Sequence, residues 1–390
     1  MKLVNDVKFG LRKKRSLVFI SLLFVLFLFS DALQAYVPIA RQRRTHRRNQ
    51  ASFSKWISNT PINFSTIESK FFDKSDFEEG DDMCVWERQE TNPFTELILS
   101  WNALRPSPGS LTFWVNVKYG NNTWSGWQRM AEWGERIQRS FINKTNPYVH
   151  TKHVRVEMQH GIVGNGFKVK VTFNNGADPK ELRALFVCLC DLKKFKLVRP
   201  NIVLPTTFIR GVPKQSQMVL DHPRFRDLCS ATSTSIIVNY FTAKLNRQPI
   251  CKGLDDYVGN FADKVYDPKL NIYGNWQLNV AQAFDAANGD VFFRVERLNG
   301  FRDLHAYLMK KIPVVVSVHR LTGGALPYKS GHFMVVVGWN QAKQQVLCID
   351  PAFKGSSKTL RSYKFWDFLQ AWGRSVNLSY IPMPKDLFYS

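Results

Sequence analysis

A cysteine becomes a useful nucleophile as its thiolate, and a helix N-terminus and a nearby imidazolium both favour that form. The stretch RDLCSATSTSIIVNYF, residues 226–241, meets the first condition. Its apolar spacing predicts an amphipathic helix opening at Cys229 after a turn around Asp221 and Pro223, and small Ser230, Ala231, Thr232 and Ser233 leave room for an approaching chain. The second condition needs a histidine that folding can bring to the thiol, and SGHFMVVVGWNQAKQQVLCIDPA supplies one. If 332–339 and 345–350 pair antiparallel around a turn at 340–343, His332 falls opposite or diagonal to Asp350. The carboxylate then orients one ring nitrogen and leaves the other for Cys229, which is the nucleophile, base and orienting acid of acyl transfer. A tetrahedral intermediate also needs an oxyanion donor. VPKQSQ ends at Gln217, twelve residues before the thiol, and its amide together with the Cys229 N–H would form the hole, with Gln215 the competing choice.

Taken singly, each of these residues has an ordinary explanation. A helical cysteine is usually a small core residue, and an aspartate before proline often just forms a turn. The order of nucleophile, histidine and aspartate, with a hairpin able to join the last two, is what points to catalysis. The chain holds six cysteines, Cys84, Cys188, Cys190, Cys229, Cys251 and Cys348, an even count suited to an oxidising compartment. Cys84 could bridge to Cys188 or Cys190, whereas those two, separated by one residue on a strand, are badly placed to bond each other. They could instead join His150 and His153 around a zinc ion, although the paired CxxC knuckles of structural zinc sites are missing. Cys348 shares the strand face of Asp350, so a disulfide to Cys251 and a switchable bond to Cys229 are both open.

The elements that must carry these residues fall into two sets. From about Cys84 to Cys190 run short alternating segments, TELILSWNA, SLTFWVNVKYG, HVRVEMQ, FKVKVTFN and LRALFVCLC, separated by Gly, Pro and Asn; this predicts an all-β sandwich over 76–196. In FWVNVKY, Phe113, Val115, Val117 and Tyr119 point to the core and Trp114, Asn116 and Lys118 away from it. Six of the eleven tryptophans lie here; core packing is their default role, and exposed platforms for sugar are the alternative. A proline-rich connector with Pro200, Pro205 and Pro213 follows. Then come helices near 229, 276 and 301, strands IPVVVSVHR, GHFMVVVGWN and QQVLCIDP, a helix at YKFWDFLQAWG and a closing strand NLSYIP. This is an α+β order over 197–390.

Charge and the N-terminus bound the setting. Residues 1–35 read as a signal peptide: six Lys/Arg, an apolar run over 17–29 shorter than the ~20 residues of a spanning helix, and DALQA before cleavage after Ala35. Of the formal +23, these residues contribute +4, from six Lys/Arg against Asp6 and Asp31, leaving +19 downstream. ARQRRTHRRNQ concentrates that charge in a linker over 36–75, expected to be basic and largely disordered. The arm could meet acidic lipid or envelope polymer by charge alone. Export makes nucleic acid an unexpected partner, and membrane contact is expected only through an uncleaved signal or this arm.

The pieces VPKQSQ, LCSATS, YGNWQLNVAQAF, IPVVVSV, GHFMVVVGW and CIDPAF, in this order over about 210–375, resemble the C-39-like group of papain-like cysteine peptidases. The resemblance implies a papain-like fold for 197–390, Cys229 as nucleophile, His332 as general base and acid, Asp350 as its orienting partner and Gln217 as oxyanion donor. FTELILSWNALRPSPGSLTFWVNV and WSGWQRMAEWG are similar to the β domain that precedes such peptidase domains in some exported bacterial proteins. The expected activity is therefore an exported cysteine peptidase or amide hydrolase acting on peptide or protein substrates, with no metal or organic cofactor. Two alternatives are a thiol acyltransferase using the same residues, and an envelope- or glycan-binding protein whose peptidase-like domain is inert.

Overall fold

The computed structural model describes residues 63–198, 203–245 and 254–385, all within one compact unit. The expected signal segment, the Arg-rich arm and Cys251 lie outside the described residues.

Two antiparallel sheets build the N-terminal part. One runs β1 (Ser65–Phe71), β12 (Leu182–Cys190), β3 (Glu96–Ala103), β10 (Arg155–Met158), β9 (Val149–Lys152) and β8 (Ile142–Asn143). The other runs β2 (Met83–Arg88), β11 (Gly164–Asn174), β4 (Ser110–Tyr119), β6 (Gln128–Gly134) and β7 (Gln138–Ser140), with β5 (Thr123–Trp124) paired to β4. The sheets close over aromatic rings: Trp101 of β3 stacks on Phe113 of β4 with centroids 4.0 Å apart and meets Trp133 of β6 edge-on at 6.4 Å. In β4 Phe113, Val115 and Val117 are buried and Trp114 and Lys118 half-exposed as expected, whereas Asn116 is buried as well and Tyr119 is only half-buried. The sheet also starts earlier than 76. β1 lies in the stretch expected to be disordered linker and zips along β12, from Ser65 opposite Cys190 to Phe71 opposite Ala184.

All eight residues of β3 are buried, because its second face is covered by α3 (Trp276–Ala286) and β14 (Val291–Arg297) from the C-terminal half. The seam is polar and well matched. Asn102 donates to the Phe293 carbonyl and accepts from the Phe293 N–H, both at 2.7 Å, and Gln277 donates to the Leu99 carbonyl at 2.8 Å. Glu96 and Arg297 form an ion pair there with each side chain only 2% exposed.

The C-terminal sheet is antiparallel, in the order β14, β19 (Leu378–Pro384), β15 (Val314–Val318), β16 (His332–Asn340), β17 (Gln345–Ile349) and β18 (Leu360–Lys364), with β13 (Thr207–Phe208) added on β16. Four expected helices form: α1 (Cys229–Lys244), α3, α4 (Phe301–Met309) and α5 (Phe365–Gly373). The sequence pattern does not predict α2 (Leu254–Asp263), β14 or β18. Nor is α1 amphipathic: every residue from Ser230 to Thr242 is buried. Its short hydroxyls make that possible by bonding to backbone. Thr234 and Ser235 donate to the carbonyls of Ser230 and Ala231 at 2.8 Å, and Ser233 donates to the Phe333 carbonyl of β16 at 3.1 Å. Among the described residues no helix is long and apolar enough to cross a membrane.

Among the described residues the cysteine alternatives resolve against a Cys84 bridge and against zinc. Cys84, Cys188, Cys190, Cys229 and Cys348 are all unbridged. Cys84 sits on β2, in the sheet opposite β12, so it does not join Cys188 or Cys190. Cys188 and Cys190 have sulfurs 3.5 Å apart in the buried seam, with Ser65 Oγ 3.2 Å from Cys188. His150 lies three strands away along the row Cys190, Glu96, Glu157, His150, about 14 Å at ordinary strand spacing, and His153 Nδ1 is 2.9 Å from Ser140 Oγ. One metal ion cannot reach both sets.

Candidate active site

Cys229 is the first residue of α1, after Leu228, an N-cap with no side-chain bond. The first-turn N–H groups therefore lack helical partners, and the positive end of the helix dipole lies at the half-buried thiol. The Ser233 bond to Phe333 fixes this helix end against β16, whose first residue is His332.

His332 is 4% exposed and joins two groups. Its Nε2 is 2.8 Å from Asp350 Oδ1, and the ring lies close enough to Cys229 for the thiol to act on its charge. In the connecting hairpin Val335 faces Ile349, and a bulge between Val336 and Gly338 shifts the register before the turn. Extended from that pair, His332 is level with Ala352, so Asp350 takes the diagonal of the two placements expected. Gly331 has φ +98°, a left-handed turn that suits glycine and brings the preceding loop back over the ring.

Asp350 is fully buried, with both oxygens occupied. Oδ1 also accepts from the Ala352 N–H at 3.1 Å, while Oδ2 accepts the hydroxyls of Tyr328 at 2.7 Å and Tyr363 at 2.6 Å. Tyr328 also stacks on the His332 ring, with centroids 4.0 Å apart and planes 10° from parallel. It holds this place at φ +46°, a left-handed conformation costing about 1–2 kcal/mol for a non-glycine residue. Stacking worth about 0.5–1.5 kcal/mol and a bond to a charged group worth about 1.5–3 kcal/mol offset that cost.

Neither tyrosine is singled out by the sequence pattern. Tyr328 precedes His332 by four residues in a loop, and Tyr363 comes from β18, two strands across the sheet from β16. Tyr380 is a third residue of this kind: its hydroxyl is 3.2 Å from Ser230 Oγ at the start of α1, and its ring stacks on Phe333.

The electrostatics follow from these contacts. Burial pulls the His332 imidazolium down, but the Asp350 carboxylate, its hydrogen bond and Cys229 act the other way and raise the ring pKa from 6.5 to about 10. Burial would raise the Asp350 carboxyl, but the His332 charge and the bonds from His332, Tyr363 and Tyr328 hold it below its ordinary value. Cys348 is buried two residues away; burial, reinforced by the Asp350 charge, pushes its thiol well up, which makes it a poor nucleophile.

Gln217 is buried and tied to the same corner. Its backbone N–H donates to the Pro351 carbonyl at 2.9 Å, and its side-chain amide donates to the carbonyls of Phe225 at 3.0 Å and Arg226 at 2.8 Å. It thus pins the turn entering Cys229 to the residue after Asp350, while its own Oε1 is buried without a partner. Gln215 is buried as well. Among the described residues no cluster of three or more His, Cys, Asp or Glu side chains is placed to hold a metal. Thiol, imidazole and carboxylate in line can deliver a nucleophile, shuttle its proton and orient the shuttle.

Residues 209–380 match the Peptidase_C39 like family, and residues 57–172 match the Peptidase C39 N-terminal domain. No curated protein sequence matches. Among solved structures, a candidate C39-like peptidase from Bacillus anthracis is similar at 13% identity and a TM-score of 0.34, over 47% of this chain and 99% of its own. Xylellain, a cysteine protease from Xylella fastidiosa, is similar at 12% identity and a TM-score of 0.30, over 50% of this chain and 93% of its own. The C-terminal part of the chain is thus similar to the Peptidase_C39 like family over residues 209–380, and its N-terminal part to the Peptidase C39 N-terminal domain over residues 57–172.

Proposed function

We propose that the protein is an exported cysteine peptidase with a papain-like C-terminal domain, working through Cys229, His332, Asp350 and Gln217. The observation that carries this reading is the buried His332 held between the Asp350 carboxylate and a thiol at a helix N-terminus. The Cys229 sulfur attacks the peptide carbonyl carbon, and the carbonyl π pair moves onto oxygen. That oxyanion is met by the Cys229 N–H and by Gln217, which gives up its longer bond, to Phe225, as the charge develops. His332 passes its proton to the leaving nitrogen as the C–N bond breaks, leaving a thioester on Cys229. A water then loses a proton to His332 and attacks the thioester, and the acid product departs with the Cys229 and His332 pair restored. Asp350 orients the ring throughout and stabilises its charge. Export rests on residues 1–35, whose charged start, apolar run and DALQA end have the layout of a cleavable signal.

The test is incubation of the full-length chain with a pool of unrelated peptides, read by mass spectrometry. The reading expects cleavage products with the parent and none with Cys229→Ala. An intact pool with the parent, or products that persist in the variant, would contradict it.

A further inference from the structure

The outer face of the β2, β11, β4, β6, β7 sheet carries an arrangement that the sandwich core does not need. Trp86, Trp101 and Trp133 fill the core, whereas Trp114, Trp124 and Trp127 stay half-exposed. Strand register places Lys170 between Val85 of β2 and Trp114 of β4, and Trp114 beside Arg129 of β6. The Lys170 ammonium lies 5.1 Å from the Trp114 ring centroid and 4.7 Å from that of Trp127. Lys168 sits 4.6 Å over Trp124, and the Arg129 guanidinium sits 5.6 Å over Trp114.

Two cations here have acids of their own, Lys168 with Glu87 at 3.0 Å and Arg129 with Glu132 at 3.0 Å. Lys170 has no carboxylate partner among the described residues; it is an ammonium lodged between two indoles. Beside it the edge strand leaves Met83 and Val85 each 52% exposed. Such a face discriminates by chemistry. A neutral sugar would have to displace the ammonium from the rings, and a bare polyanion has no use for indole and apolar surface. A sugar ring bearing a carboxylate uses both, with its C–H face on the aromatic edges and its charge on the ammonium.

We propose that this face binds an acidic polysaccharide, with Lys170 taking a carboxylate while Trp114 and Trp127 hold the sugar ring. The site is separate from Cys229 and does not depend on peptidase activity. The test is affinity electrophoresis of the full-length chain through polygalacturonate, through dextran as sugar without charge and through polyphosphate as charge without sugar. Retardation by polygalacturonate and not by dextran is expected. Lys170→Gln and Trp127→Ala should each weaken it by about tenfold or more, with Lys343→Gln, on the 340–343 turn, within about twofold. Polyphosphate should be indifferent to Trp127→Ala. Near-UV circular dichroism shows that each variant is folded, and with two independent variants the result does not hang on one. No retardation of the parent, equal retardation by dextran, parent-like binding in both folded variants, or a Trp127→Ala loss as large for polyphosphate as for polygalacturonate overturns the proposal.

Discussion

Two buried carboxylates, each paired with a cation, organise this molecule, and they are built differently. At the seam between the halves, Glu96 meets Arg297 and also Arg155 at 3.2 Å, while Arg297 donates onward to the carbonyls of Ser375 at 2.7 Å and Val376 at 3.2 Å. Acid and base are both enclosed, and neither side chain is more than 2% exposed. At the candidate site Asp350 is equally enclosed by four donors, but His332 spends only one ring nitrogen on it and turns to a half-buried thiol. A pair with every group bonded can only hold surfaces together. A pair that leaves one nitrogen facing a nucleophile can move a proton.

The comparison breaks most sharply at the base. His332→Ala should lower peptide cleavage by about 10⁴-fold, measured as kcat of the folded variant. Next is the seam: Arg297→Met leaves Glu96 buried with its main partner removed and should cost about 3–5 kcal/mol of stability in urea titration, with kcat of the folded enzyme unchanged. A fall in kcat as large as that of His332→Ala would erase the distinction between the two pairs.

A third measurement is the pH profile. Because the His332 pKa is raised to about 10, the folded enzyme keeps the imidazolium well above pH 7. The associated stabilisation is complete below the ordinary value of 6.5 and is lost as pH rises through about 10. The alkaline limb of kcat/KM should therefore lie near 10. In Asp350→Asn burial acts without its largest counterweight, so the limb should move down from about 10; an unmoved limb would show that Asp350 does not set it. The smallest effect is expected of Tyr363→Phe, which removes one of four donors to Asp350. A loss of about tenfold in kcat with KM unchanged is expected, and a change confined to KM would place Tyr363 in substrate binding instead.

Much of this was legible in the chain because it depends on short-range rules. The helix start at Cys229 follows from local spacing, and the approach of His332 to Asp350 follows from a four-residue turn and the period of a strand. The two sandwich sheets follow from alternation and turn residues between Cys84 and Cys190. What escaped depends on long-range packing. β1 looks like part of a basic linker until β12 covers it; α1 looks amphipathic because its hydroxyls read as polar, although they are bonded to backbone inside the core. Tyr328 and Tyr363 come from a loop and from a strand across the sheet, and no spacing rule joins them to Asp350. Even the seam between the halves is invisible beforehand, since Glu96 and Arg297 are 201 positions apart.

The most direct test of the central claim is site-resolved labelling by iodoacetamide at pH 7, followed by mass spectrometry, in the parent and in His332→Ala. If Cys229 is a nucleophile activated by His332, it is labelled first in the parent, at least about tenfold faster than half-buried Cys84, and loses that lead in the variant. Labelling of Cys229 no faster than Cys84, or an advantage that survives His332→Ala, would contradict the account.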